Sequence, residues 1–307
     1  MNVVPLRRPE PVRTTVDPTE FQRRLAHWNR RRLAVGKPSP AWRKEMAEAH
    51  RMGIQEGEWI EGLRREVADR VADVPTDPEA FVAWFEALKH TGPGQGDALF
   101  PWLAEEASLG EMCWFLRQEA AGEAGFDDLV AMAQVKLDAR AKLELARNYW
   151  DEMGRGNAGG MHGPMLSRLV DHLQLDPSIE TTVWQSLALA NAMTAFSATR
   201  RYAYQAIGAL GVVELTAPGR VALVAAGLKR LGVAPKIRHY FDLHAILDVK
   251  HSEEWNEEAL KPLVAADPDC ARYLAEGAVI RLLCGQRCFD AYREHLWGGE
   301  AAAHSAA

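Results

Sequence analysis

Three residues in the last quarter of the chain, His244, Asp248 and His251, have the types and spacing of metal ligands. If Tyr240 to His251 is helical, 100° per residue brings positions four and seven apart close to one line, so a carboxylate stands between two imidazoles on one face. Ala245, Ile246, Leu247 and Val249 supply apolar positions around it. That triplet is half of a transition-metal site. Two other stretches offer the second half. Glu152 closes one helix and His162 opens the next, across Gly154-Arg155-Gly156-Asn157-Ala158-Gly159-Gly160, a turn with enough glycine to let both side chains reach one ion. Glu214 ends an apolar segment that includes Ala206, Ile207, Leu210 and Gly211, where a carboxylate is costly to bury unless paired or metal-bound. Each of these also has a plainer reading. Glu152 can be a surface carboxylate and His162 a first-turn histidine, and Glu214 can face solvent or pair with Arg200, Arg201 or Arg220.

Together the six residues make three carboxylates and three imidazoles with no thiolate, a donor set that suits iron or manganese. Six protein ligands are too many for one open catalytic ion and enough for two. The paired Glu-x-x-His motifs of ferritin-like carboxylate proteins are absent, and Asp248-x-x-His251 stands instead.

The elements that must position these residues read as helices throughout. Asp17-Pro18 and Asp77-Pro78 each pair an N-cap with a first-turn proline. The first helix is predicted to end near Ala34, a second to span Ala41–Arg51 and a third Glu56–Ala72. Further helices are predicted over Pro101–Ala121, within Phe126–Met153, from Met161 to His172, through most of Ser178–Leu215, over Arg220–Leu231 after a break at Thr216-Ala217-Pro218-Gly219, around His244, over Glu253–Ala266, and from Pro268 to Leu296. Strand alternation and hairpin turns are missing, so the fold class is all-α. Residues 1–76 read as a mobile arm and helical extension, 77–298 as the main domain, and 299–307 as a disordered tail. Trp114, Phe115, Tyr149, Met161 and Tyr202 are core or pocket-lining residues on this reading.

Composition narrows the function classes. At 48% hydrophobic, 25% charged and a net charge of −6, the chain does not read as a general nucleic-acid binder. No apolar run reads as long enough to cross a bilayer, and the N-terminus lacks the apolar core of a signal peptide, so a cytoplasmic location and no membrane partner are expected. Cys113, Cys270, Cys284 and Cys288 form no Cys-x-x-Cys pair and are expected to be reduced thiols. Fingerprints of hydrolases, kinases and dinucleotide-binding folds are missing.

The combination Asp-Glu-x-Gly-x-Gly-x5-His at 151–162, Glu214, and Tyr240-Phe241-x2-His244-x3-Asp248-x2-His251 resembles the heme-oxygenase-like diiron oxidases and oxygenases, also called iron-containing redox enzymes, over residues 100–295. The resemblance implies a heme-oxygenase-like seven-helix bundle, to which the residue reading adds the N-terminal helical extension. It implies a non-heme site of two Fe2+ ions held by Glu152, His162, Glu214, His244, Asp248 and His251, with O2 as co-substrate and no heme. It implies an oxidoreductase that takes a small-molecule substrate and draws on an electron donor; the N-terminal residues, read as an extension packed on the body or an arm exchanged between chains, leave a homodimer open. Members of the family N-oxygenate amines or cleave C–C bonds of amino acids and fatty acids. The expected activity is therefore N-oxygenation of a small amine or amino-acid-like substrate, as in a biosynthetic oxygenase. Oxidative C–C cleavage, decarboxylation or desaturation is the alternative. A non-catalytic metal-binding or metal-free helical protein on the same scaffold is the alternative of another class. Some N-oxygenating members use one further carboxylate from the preceding helix, for which Glu119, with Glu123 one turn on, is the candidate.

Overall fold

Aspartate–proline pairs start helices here because the carboxylate accepts an orphan N–H while proline occupies a position whose N–H would be unpaired anyway. In the computed structural model, which describes residues 17–122 and 125–304, Asp17 accepts the Thr19 N–H at 3.0 Å at the head of α1 (Pro18–Leu33). After α2 (Trp42–Glu66), Asp77 accepts the Ala80 N–H at 2.9 Å at the head of α3 (Pro78–Thr91). There follow α4 (Leu99–Glu105), α5 (Leu109–Gly122), α6 (Phe126–Ala133), α7 (Ala139–Glu152), α8 (His162–His172), α9 (Trp184–Ala198), α10 (Ala203–Arg230), α11 (Pro235–Trp255), α12 (Lys261–Ala266) and α13 (Cys270–His304). No strand occurs among the described residues. Residues 1–16, 123–124 and 305–307 lie outside them.

Several boundaries differ from the sequence reading, each for a local reason. The second and third expected helices are one. α2 runs through Gly53 and Gly57 because Met52, Glu56, Ile60 and Leu63 form a buried stripe at helical spacing, and a glycine costs only about 1 kcal/mol against alanine. The expected long helix over Pro101–Ala121 is two. Ser108 and Glu111 form a capping box, with Ser108 N–H donating to Glu111 Oε2 at 2.7 Å and Glu111 N–H to Ser108 Oγ at 3.4 Å, which starts α5 afresh. Phe126–Met153 likewise divides into α6 and α7. The expected break at Thr216–Gly219 does not occur, and Pro218 lies inside α10. Burial along α10 outweighs the hydrogen bond that proline removes. α13 runs past Leu296 to His304.

α10 is the central helix, packed on α11, α13 and α4. Glycines let it approach α13. A Cβ on Gly208 would meet the Leu274 carbonyl oxygen at 1.9 Å, and one on Gly277 would meet that of Gln205 at 2.0 Å, so the two backbones are in direct contact. With the turn before it, this helix (Arg200–Arg230) is long and apolar enough to cross a membrane, contrary to the expectation from sequence. Apolar residues on all sides are also what a core helix between two others needs, and half of its most apolar window is buried. The extension packs on the body. Asn29 Nδ2 donates to Asn191 Oδ1 at 2.9 Å, joining α1 to α9, and Arg64 Nε donates to Glu276 Oε2 at 2.7 Å, joining α2 to α13.

Candidate metal centre

Four elements deliver six side chains to one place. Glu152 is the last residue of α7, and His162 the first of α8. The glycine turn between them closes tightly: at Gly154, with φ +59°, a Cβ would meet the Gly160 carbonyl carbon at 2.3 Å, so only glycine fits. Glu214 comes from the middle of α10, and His244, Asp248 and His251 from one face of α11. The ligand-type atoms of Glu152, His162 and His244 lie within 4.8 Å of one another, and so do those of Glu214, Asp248 and His251. All six residues are between 2% and 9% exposed. The plainer readings thus fail for these residues. Glu214 pairs with none of Arg200, Arg201 or Arg220; it accepts from Asn148 Nδ2 at 2.6 Å.

The hydrogen bonds orient the rings. Tyr240 O lies 2.7 Å from His244 Nδ1, and a carbonyl can only accept, so Nδ1 carries the proton and Nε2 is bare. Asp151 Oδ2, itself held by Arg155 at 2.6 Å through Oδ1, lies 3.2 Å from His251 Nε2 and turns His251 Nδ1 toward Glu214 Oε2, 3.5 Å away. His162 Nδ1 lies 2.8 Å from Glu152 Oε2 in an orientation that makes no hydrogen bond, and the His162 and His244 rings are 4.6 Å apart. His162 Nδ1, Asp248 Oδ1 and His251 Nδ1 are all buried without a hydrogen-bond partner. Three bare ligand atoms in one buried cluster are rare in a folded protein, where buried polar atoms are paired. The residues present therefore fit metal ions bound by oxygen and nitrogen.

Charge says the same. Burial, with Glu214 and Glu152 nearby, pushes the Asp248 carboxyl up to about 10. Burial raises Glu214 as well, against the pull of His251. Burial lowers His244 to about 4. His251 is lowered by burial but raised more by Glu214 and Asp151, to about 9. These carboxylates repel one another across both triads, and cations placed between them would relieve that repulsion and displace protons.

A cavity of about 110 Å³ opens on the cluster, walled by Phe126, Leu166, Val213, Ala217, Val221 and Tyr240. Of the residues offered as pocket-lining from sequence, Phe115 and Tyr202 are core, and none of the five lines this cavity. Glu119 stands apart from the two triads. Its carboxylate accepts from the Tyr292 hydroxyl at 2.8 Å and belongs to neither triad, because α5 directs it toward α13. Glu123 lies outside the described residues. The carboxylate that the preceding helix does bring to the cavity is Asp127, in the first turn of α6, and burial and the charges of Asp128 and Glu152 raise its pKa. Its signal in the sequence was a pair of first-turn acids after a glycine, which reads equally well as a plain helix start.

Residues 113–286 match the family model described as iron-containing redox enzyme. No curated protein matches the chain. Among solved structures the chain is similar to a CADD-like protein of unknown function from Nostoc punctiforme PCC 73102, at a TM-score of 0.54 and 17% identity over 73% of this chain and 97% of that one. A second crystal structure of that protein gives a TM-score of 0.49 at 17% identity over 77% of this chain and 97% of the other. The all-α, heme-oxygenase-like helical bundle expected from sequence is the fold observed.

Proposed function

This chain belongs to the iron-containing redox enzymes, and on that premise we propose that it is a non-heme diiron oxygenase that uses O2 to N-oxygenate a small amine or amino-acid-like molecule. The observation that carries the reading is the pair of buried triads, Glu152–His162–His244 and Glu214–Asp248–His251, with three ligand atoms left bare. Two triads match two ions, and iron ions bound there would supply the electrons and the open coordination that O2 activation needs.

The chain's own residues do the rest. Tyr240 O and Asp151 fix the imidazole tautomers of His244 and His251. Asn148 holds one oxygen of Glu214 and leaves the other facing His251. The apolar wall of Leu166, Val213, Ala217 and Val221 excludes water from the reacting atoms and admits only a slender substrate. Asp127 supplies the further carboxylate at the cavity that N-oxygenating relatives draw from this part of the fold, and it supports N-oxygenation over C–C cleavage. Turnover draws on an external electron donor.

Anaerobic Fe(II) titration of the metal-free chain, followed by rapid mixing with O2, tests the reading. Two irons per chain and a transient visible absorption whose decay candidate amines accelerate are expected. One iron or none, with no transient, would sink the dinuclear reading. A transient insensitive to every amine but quenched by fatty or amino acids with C–C cleavage would sink N-oxygenation alone.

A further inference from the structure

α10 presents different faces to two cavities. Glu214 and Ala217 line the metal cavity, while Thr216 and Arg220 line a second one of about 370 Å³, facing Lys89, His90, Gln95 and Phe100. This second cavity holds a part-buried guanidinium whose own hydrogen bonds reach no carboxylate, although Asp97 lines the same cavity. Arg220 donates to Thr216 Oγ1 at 3.3 Å and to Gln95 Oε1 at 3.5 Å, both long and both neutral, and lies 5.8 Å and 5.7 Å from the ring centres of Phe100 and Phe289.

The acids nearby are committed elsewhere. Asp97 is ion-paired to Arg293 and also accepts the Leu99 N–H, and Glu119 accepts from Tyr292. Arg281 on α13 adds a second positive charge within electrostatic reach, and it has no ion pair among the described residues. Burial and Arg281 together pull Arg220 down to about 9, against the weaker opposing charge of Glu119. A guanidinium in such surroundings is ordinarily held by an anion, and its planar fork matches a carboxylate. Phe100, Pro101, Leu215 and Leu223 give the cavity an apolar wall beside its polar residues, and its volume falls in the range of about 300–1,000 Å³ usual for small-molecule sites.

We propose that this cavity is a second binding site, separate from the metal centre, for a small organic carboxylate whose charged end is held by Arg220 and whose apolar body lies against Phe100 and Leu223. The apolar wall favours such a ligand over inorganic phosphate, which would leave that wall unused.

Calorimetric titration of the full, metal-free chain with hexanoate and benzoate, with inorganic phosphate beside them, tests the site. One carboxylate is expected per chain, binding at least tenfold more weakly to Arg220→Met, with Arg220→Lys between because it keeps the charge and loses the fork. Phosphate is expected to bind more weakly than either carboxylate. Without ligand, Arg220→Met should melt at or above the parent, since an unpaired cation has been removed from a part-buried position. Equal binding to Arg220→Met, no binding to the parent, or tighter binding of phosphate would each overturn the proposal. So would displacement of the carboxylate by iron loading, which would put it in the metal cavity. An Arg220→Met chain that melts well below the parent would make Arg220 a tether for the Gln95 loop instead.

Discussion

Two glutamates of the bundle are equally buried and have opposite fates. Glu276 on α13 is 1% exposed and fully answered: Arg64 donates to it at 2.7 Å and 3.3 Å, Gln205 at 3.0 Å, and Arg272 stands at 3.4 Å. Glu214 on α10 is 2% exposed and has no arginine or lysine, only Asn148 and His251, with Glu152 pressing its own charge on it. A buried carboxylate surrounded by cations ties elements together, here the extension to the body. A buried carboxylate surrounded by other carboxylates and half-bare imidazoles stores an electrostatic cost that only a cation removes. The first arrangement is a joint and the second is a binding site, although burial alone does not tell them apart.

The sharpest way to break the comparison is to remove ligands from one cluster and partners from the other. Replacing His244, Asp248 or His251 by Ala should lower bound iron from two per chain to one or none and abolish turnover, read by metal analysis and O2 consumption. Folding should survive, because the substitution removes part of a repulsive cluster. Retained turnover with two irons in any of the three would end their assignment as ligands. Glu276→Ala should do the reverse. Breaking a buried pair from one side costs about 3–5 kcal/mol, measurable as a shift in the urea midpoint, while iron stoichiometry stays at the parent value.

Proton linkage separates the clusters next. In the metal-free chain Asp248 titrates near 10 and His251 near 9, both above their unfolded values. Between about pH 6.5 and 9 the folded state therefore binds more protons than the unfolded one, and stability falls as pH rises, by about 1.4 kcal/mol per pH unit for each group fully engaged. His244, lowered to about 4, contributes the opposite slope only below about pH 6.5. Iron affinity should rise over the same alkaline window, since those protons compete with the metal. Denaturation of metal-free and iron-loaded protein at pH 6.5, 7.5 and 8.5 checks both signs, and a metal-free chain that gains stability toward pH 8.5 would contradict them.

Which parts of this were legible in the sequence follows from range. His244, Asp248 and His251 lie on one regular helix, so spacing alone places them on one face. Glu152 and His162 flank a turn whose glycines announce its sharpness. Glu214 was visible as a charge at the end of an apolar run, although the run continues past it as one core helix. Glu119 was singled out and Asp127 was not, because the geometry that separates them is tertiary. The two acids stand on separate helices, α5 and α6, and no spacing rule carries from one helix to the next. Pro218 misled for a related reason: proline's local cost is fixed, but the burial that overrides it comes from α11 and α13. The start of α5 was a different case, since Ser108-x-x-Glu111 is a local capping signal that was present and went unread.

Asp151 gives the smallest and most discriminating effect, because it joins the two kinds of buried acid. Like Glu276 it has an arginine, Arg155, and like Glu214 it touches a ligand, His251. The arginine and His251 hold its carboxylate below the usual range against the effect of burial, so it is ionised whenever the site is loaded. Asp151→Asn keeps the shape and an acceptor oxygen but removes the charge that makes the imidazole a better donor to a metal. Loss of such an outer partner typically weakens metal binding about 10–100-fold. The variant should thus still take up two irons at saturation, with one of the two binding steps shifted to higher Fe(II) concentration and the other unmoved. A shift of both steps would mean that Asp151 acts on the folding of the glycine turn. No shift of either would mean that the Tyr240-type backbone contacts suffice to orient the site, and that His251 needs no carboxylate behind it.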